Sequence, residues 1–319
     1  MKSILLAATI VTFGAALIRA DETYVLIKEI PVGGDGGWDY LSVDSAAQRL
    51  YVSHGNKVVV IDTAKDAVCG EITNTPGVHG LAPAPELGRG MVTCGRENKA
   101  AIVDLKTLEI ISKVDTGANP DGMLYEPGQQ EFYTFNGRGS SATVIDAKSG
   151  KVVATIPLGG KPEFAQADSK AGLVFNNLED KNEVVVIDTK THTVKDRWPI
   201  APGEEASGLA FDQKNHRLFL GCGNKMMAMM DSTSGKVLAT VPIGDGVDAN
   251  AFDPVLQLAF ASCGDGTVTI AHEDGDKLTV VQTLKTQRGA RTIALDTKTH
   301  NIYLAVGAGD NFKVLAYGN

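Results

Sequence analysis

VVVID at 58–62, AAIVD at 100–104, ATVID at 142–146, VVVID at 184–188 and MAMMD at 227–231 are one phrase repeated, a short apolar run closed by Asp. The closing residues Asp62, Asp104, Asp146, Asp188 and Asp231 are spaced by 42, 42, 42 and 43 residues. A degenerate copy, VTIAH, ends at His272, and a last one, FKVLAY, ends at Tyr317. A period of this length built from short strands is the signature of a β-propeller. The sequence therefore predicts an all-β chain, with seven blades of four antiparallel strands.

The unit from Trp38 to Ile72 supplies the pattern for one blade. WDYLSVD alternates apolar and polar residues, as a half-buried strand does. LYVSH, KVVVID and VCGEI follow as the second, third and fourth strands, with turn-forming residues such as Ser45, Gly55-Asn56 and Asp66 between them. We call the strands A to D. A strands end in Asp44, Glu126, Asp168, Asp212, Asp253 and Asp296, and APAPE at 82–86 fills the second copy. An Asp after strand C, as in DAKSGK and DSTSGK, can accept backbone N–H bonds and hold a turn. Residues that recur in every unit are assigned to the scaffold.

The last copy has three strands and lacks a fourth. The segment YVLIKEIPVG at 24–33 looks like a D strand without a blade and is similar to VLATVPIG at 237–244. The reading predicts that residues 24–31 complete the last blade and close the ring, removing open sheet edges.

Residues 1–20 read as a secretory signal: Lys2, an apolar run from Ile4 to Ile18, then Arg19-Ala20 before polar sequence. A membrane helix needs roughly 20 apolar residues, and this run has 15. The expected mature chain is a single domain at 21–319, periplasmic or secreted, monomeric and without a membrane span. The net charge is −8. Removing Lys2 and Arg19 makes the mature chain more acidic, and an acidic protein repels phosphate backbones, so nucleic acid is not an expected partner. Cys69, Cys94, Cys222 and Cys263 form no CxxC, haem or zinc pattern. There is no P-loop, dinucleotide fingerprint or G-x-S-x-G elbow, and two Trp residues are too few for the repeated docking motif of quinoprotein propellers.

RLYVSHGNKVVVID at 49–62, NPDGMLYEP at 119–127, RLFLGCGNK at 217–225 and the ATVID and VVVID segments resemble the secreted YVTN-repeat propellers, the YncE-like family. The resemblance spans the mature chain. It implies a seven-bladed propeller outside the cytoplasm and no particular reaction.

Aligning the units places one residue per blade at the entry to strand A, nearest the axis: Asp39, His79, Asp121, Glu163, Ser207, Asp248 and Arg291. The ends of the B strands form a second layer that includes His54, Cys94, Cys222 and Cys263, and the loop residue Trp38 lies on the same face. A ring of carboxylates in a narrow mouth raises its own pKa values unless a cation intervenes. Two readings follow. The first is a binding or scaffold propeller without covalent chemistry, which recognises a small polar ligand or a protein partner through Trp38, Asp39, His54, His79, Asp121, Glu163, Ser207, Asp248 and Arg291. The alternative is a metal-dependent, lactonase-like hydrolase. In it Asp39, Glu163 and Asp248 would hold a divalent cation (Ca²⁺ or Zn²⁺), and His79 or Asp121 would be the general base. Met226, Met227, Met229 and Met230 are read as core, and His192, His216 and His300 as solvent-facing turn residues.

Overall fold

A computed structural model describes residues 23–319. The proposed signal at 1–20 lies outside the described residues. The chain forms seven four-stranded antiparallel sheets. Blades 1 to 6 are consecutive, with A strands at Leu41–Asp44, Val78–Ala84, Pro120–Glu126, Pro162–Asp168, Ala206–Asp212 and Val247–Asp253. The A strand of blade 7 is only Ala294–Leu295. Each A strand touches the A strand of the next blade, and Ala294–Leu295 meets Leu41–Asp44 to complete the ring. The fold is a seven-bladed β-propeller with the A strands around its axis.

The phrase that reveals the period is strand C, and its burial explains its composition. Val58, Val59, Val60 and Ile61 are all fully buried, as are Ala100–Val103 and Met227–Met230. Alternation fails here because each sheet is covered on both faces by neighbouring blades, so inward and outward side chains both meet apolar surface. The core is accordingly a series of wedges between sheets. Tyr51, Val58 and Val60 of blade 1 pack on Leu81, Val92 and Ala101 of blade 2.

The acidic repeat positions hold turns. Asp44 Oδ1 accepts the Ala46 and Ala47 amides at 3.1 and 3.0 Å, and Asp212, Asp253 and Asp296 act similarly in their A–B turns. Asp62, Asp104, Asp146, Asp188 and Asp231 do the same after strand C. The exceptions have structural substitutes. A 3₁₀ turn at Pro85–Leu87 replaces the missing Asp of blade 2. At His272 the hairpin runs on, pairing Asp274 with Lys277. All these turns lie on the face opposite the A-strand entries.

Two turn histidines differ from expectation. His192 Nε2 lies 2.9 Å from Glu131 Oε2, and His300 Nδ1 lies 2.6 Å from Asp253 Oδ2, whose side chain is fully buried. They face neighbouring blades, where carboxylates from distant segments meet them. His216 is exposed.

The ring closes as the sequence predicts. Val25–Pro31 pairs antiparallel with Lys313–Gly318, so blade 7 takes three strands from the C-terminus and one from the N-terminus. Ile30 is fully buried, a contribution of about 1.5–3 kcal/mol. Tyr24 anchors the strand: its hydroxyl donates to the His300 carbonyl at 2.8 Å, and its amide donates to Gln282 Oε1 at 3.0 Å. Deleting residues 23–31 is expected to expose the edge of Lys313–Gly318, lower the melting temperature and produce aggregates in size-exclusion chromatography. A deletion variant that elutes and melts like the intact chain would disprove the closing role of this strand.

Candidate functional site

Backbone and side-chain bonds tie the A-strand entries of most successive blades together at one mouth. The Tyr40 amide donates to the His79 carbonyl at 2.9 Å, fixing the entries of blades 1 and 2 side by side. A polar residue next to the end of strand B then reaches across. Thr93 Oγ1 donates to the Asp121 carbonyl at 3.2 Å, Asn177 Nδ2 to the Ser207 carbonyl at 3.1 Å, and Ser262 Oγ to the Arg291 carbonyl. Ser53 Oγ accepts the Asp39 amide at 2.8 Å.

Within this frame His79 sits between two carboxylates. Its Nδ1 is 2.7 Å from Asp39 Oδ2 and 3.1 Å from Asp121 Oδ1. Gly95 makes room for the ring, since a Cβ there would lie 2.7 Å from His79 Nε2. Burial opposes a charge on the imidazole, but the bonds to Asp121 and Asp39 outweigh it, and its pKa is pushed up to about 10. The Asp39 carboxyl is raised chiefly by burial, while His79 works in the other direction.

The other rim groups are paired outside this cluster. Glu163 Oε1 is 2.7 Å from Lys161 Nζ. Burial raises its pKa, Lys161 opposes, and the nearby Asp121 adds to the rise, to about 7. Asp248 Oδ2 is 3.2 Å from Arg291 Nε, and burial followed by the Asp39 charge lifts its pKa to about 6 against the pull of Arg291. The expected cation set of Asp39, Glu163 and Asp248 is thus not the set brought together. Among the described residues, the ligating atoms that lie within 4.8 Å of one another belong to Asp39, His79 and Asp121. Only Asp39 is common to both sets, because Lys161 and Arg291 engage the other two carboxylates.

Two of the expected ligand contacts are buried. His54 is 1% exposed and stacks on Phe312 with ring centroids 4.1 Å apart, since the glycine-rich 33–37 loop and blade 7 cover it. Ser207 is buried, and its hydroxyl donates to the Val247 and Asp248 carbonyls at 3.1 Å. Trp38 is half-buried against Phe312 at 5.4 Å and lines the rim. The four cysteines are free thiols. Cys94, Cys222 and Cys263 are buried, and burial lifts their pKa values to about 11, 12 and 12.

The floor of the mouth is an element the sequence reading missed. Tyr40 and Phe164 come from blades 1 and 4, which are not neighbours, yet their ring centroids are 4.3 Å apart. They meet across the axis. The positions matching Tyr40 and Phe164 in the other five blades are Gly80, Gly122, Gly208, Ala249 and Thr292, and the small residues among them leave room for the two rings; a Cβ on Gly80 would lie 2.7 Å from Tyr40 Cβ. This break from a small-residue position was the available signal. The Tyr40 hydroxyl is buried without a hydrogen-bond partner. Burial, followed by the charges of Asp121, Glu163, Asp39 and Asp248, holds its pKa well above the usual value. Beyond the rings the channel opens into a cavity of about 480 Å³ lined by Leu41, Leu81, Met123, Tyr125 and Gln166.

Beside the Asp39–His79–Asp121 group, a cleft of about 560 Å³ opens on the rim face. It is lined by Trp38, Asp39, Asn56, Arg96, Asn119 and Arg138, together with backbone of Asp35–Gly37. Arg96 and Arg138 are exposed and form no ion pair among the described residues.

No protein-family model and no curated protein sequence matches the chain. Solved structures do match. A chain from a crystal structure of a mitotic checkpoint complex is similar at a TM-score of 0.81 and 12% identity, over 100% of this chain and 99% of that one. A chain of Kuenenia stuttgartiensis hydrazine synthase is similar at a TM-score of 0.76 and 17% identity, over 89% and 96%. At these identities the likeness speaks for the propeller fold, which hosts unrelated functions.

Glu163 offers a titration test. Its folded pKa of about 7 lies above the ordinary 4.5. The unfolded chain therefore loses this proton first, and stability falls as pH rises from 4.5 to 7. Glu163→Gln is expected to leave the melting temperature at pH 4 unchanged and to raise it at pH 8, by about 2–4 °C for each kcal/mol recovered. Equal shifts at both pH values would mean that Glu163 does not change its charge in this interval.

Proposed function

We propose that this protein is a binding propeller that recognises a small polar ligand carrying an acid group, without covalent chemistry. The observation that carries the reading is the rim cleft, where Arg96 and Arg138 form no ion pair among the described residues and stand beside Asn56, Asn119 and Trp38. Guanidinium forks suit carboxylate geometry, the amides suit hydroxyls, and the volume is that of a small-molecule site. The resemblance to YVTN-repeat propellers and the exported setting belong to the same proposal.

The cluster of Asp39, His79 and Asp121 favours the hydrolase alternative, yet the same geometry limits it. His79 between two carboxylates retains its proton, and bound to a metal it would be equally unavailable as a base. Asp121 belongs to the same cluster, so in a lactonase reading it would act either as a metal ligand or as the base.

A panel of hydroxylated carboxylic acids and their lactones, followed by calorimetry and thermal melting, separates these outcomes. An acid at 100 times its Kd is expected to add about 2.7 kcal/mol of stability. The double variant Arg96→Ala/Arg138→Ala is expected to lose that gain while keeping its ligand-free melting temperature. No gain with any acid would remove the reading, and lactone turnover abolished by Asp121→Asn would replace it with the hydrolase.

The exported setting has its own check. Protein recovered from the periplasmic fraction of an expressing bacterium is expected to begin at Asp21 by intact mass. A retained Met1 in that fraction would refute signal cleavage.

A further inference from the structure

The Asp39–His79–Asp121 group has the geometry of a site for an ion. We propose that Asp39 Oδ2, His79 Nδ1 and Asp121 Oδ1 bind one divalent metal ion of the Mn²⁺ or Zn²⁺ class at the channel mouth, near the buried and unpartnered Tyr40 hydroxyl. The site shares the rim with the ligand cleft but does not depend on the cleft being occupied.

Three observations carry it. The first is spacing. All three donor atoms lie within 4.8 Å of one another, and His79 Nδ1 is 2.7 and 3.1 Å from the two carboxylate oxygens. Metal–ligand bonds of about 2.0–2.2 Å place adjacent donors roughly 3 Å apart, so an ion can enter with little rearrangement. The second is charge. Arg291 and Lys161, the basic groups paired at the rim, are engaged by Asp248 and Glu163. The two carboxylates around His79 share at most one imidazole proton, and a dication on neutral imidazole would balance both.

The third observation is independent of the cluster. Tyr40 is 5% exposed, and its hydroxyl has no hydrogen-bond partner. It lies near Gly122, where an added Cβ would come within 3.4 Å of it, next to Asp121 in the chain. A buried hydroxyl without a partner is costly, and a water or ligand atom held by an ion at the mouth would satisfy it. The supports expected around metal ligands are also present. Asn119 Nδ2 donates to the second Asp121 oxygen at 3.4 Å, and Gly95 leaves the space that sets the His79 ring. One nitrogen and two oxygen donors suit Mn²⁺ or Zn²⁺ better than Ca²⁺ or Mg²⁺, which favour all-oxygen sets.

The test uses the mature chain, stripped with chelator and titrated calorimetrically with MnCl₂, ZnCl₂ and CaCl₂. The expected result is uptake of one Mn²⁺ or Zn²⁺ per chain, with Ca²⁺ weaker. His79→Gln and Asp121→Asn should abolish this uptake, and Lys106→Ala, on an exposed turn of the opposite face, should not change it. Tyr40→Phe should weaken binding by about 10-fold, within the range for groups behind the ligands. If the ligand variants unfold, the native chain decides: Mn²⁺ should broaden the His79 and Tyr40 ring resonances before those of His192 and His300. The proposal is overturned by the absence of stoichiometric uptake, by unchanged affinity in folded His79→Gln or Asp121→Asn, or by broadening that begins at another histidine. Metal uptake without acid binding would keep this site and remove the binding reading, and acid binding without metal uptake would do the opposite.

Discussion

Apolar packing between successive blades is the constraint from which the rest of this molecule follows. Val58–Ile61, Ala100–Val103 and Met227–Met230 are buried from both sides. A sheet of that composition cannot face water on either side, so each blade needs two neighbours. A linear stack would leave its two ends exposed, and a ring leaves none. Seven wedges joined by a strand from the opposite end of the chain meet this demand. The geometry also brings segments far apart in the sequence, such as Asp39 and Arg291, to one opening.

The same arrangement separates two populations of acidic residues. Those at the ends of strands A and C accept amide bonds from the next two or three residues and set the turns on one face. Those at the A-strand entries gather on the opposite side, where burial raises the pKa of Asp39, Glu163 and Asp248. Identical side chains therefore have different chemistry, because one set accepts backbone N–H bonds and the other is buried beside like charges and single basic partners. The net negative charge of the chain, taken alone, does not reveal this division.

Much of the fold could be read from the sequence because the period, the turn residues and the orphan strand are all local or repeating signals. The identity of the rim residues was legible for the same reason: alignment of the repeats puts Asp39, His79, Asp121, Glu163 and Asp248 at one level. Which of them touch was not legible. His79 bonds two carboxylates, whereas Glu163 and Asp248 turn to Lys161 and Arg291. That choice depends on side-chain reach within loops that do not repeat. His54 holds its expected place at the end of strand B, but its cover by Phe312 crosses the closure of the ring and leaves no signal in a single repeat. The partners of His192 and His300, Glu131 and Asp253, belong to other blades, so no local signal marks these histidines as paired. The contact between Tyr40 and Phe164 spans the axis and has no counterpart in a repeat-by-repeat reading.

That contact gives the two openings of the ring different access. Tyr40 and Phe164, stacked across the bore, narrow it between the polar rim and the apolar cavity. An occupant among Asp39, His79 and Asp121 would meet solvent at the rim, so a partner seated on the rim face would hinder its exchange more than one seated on the turn face.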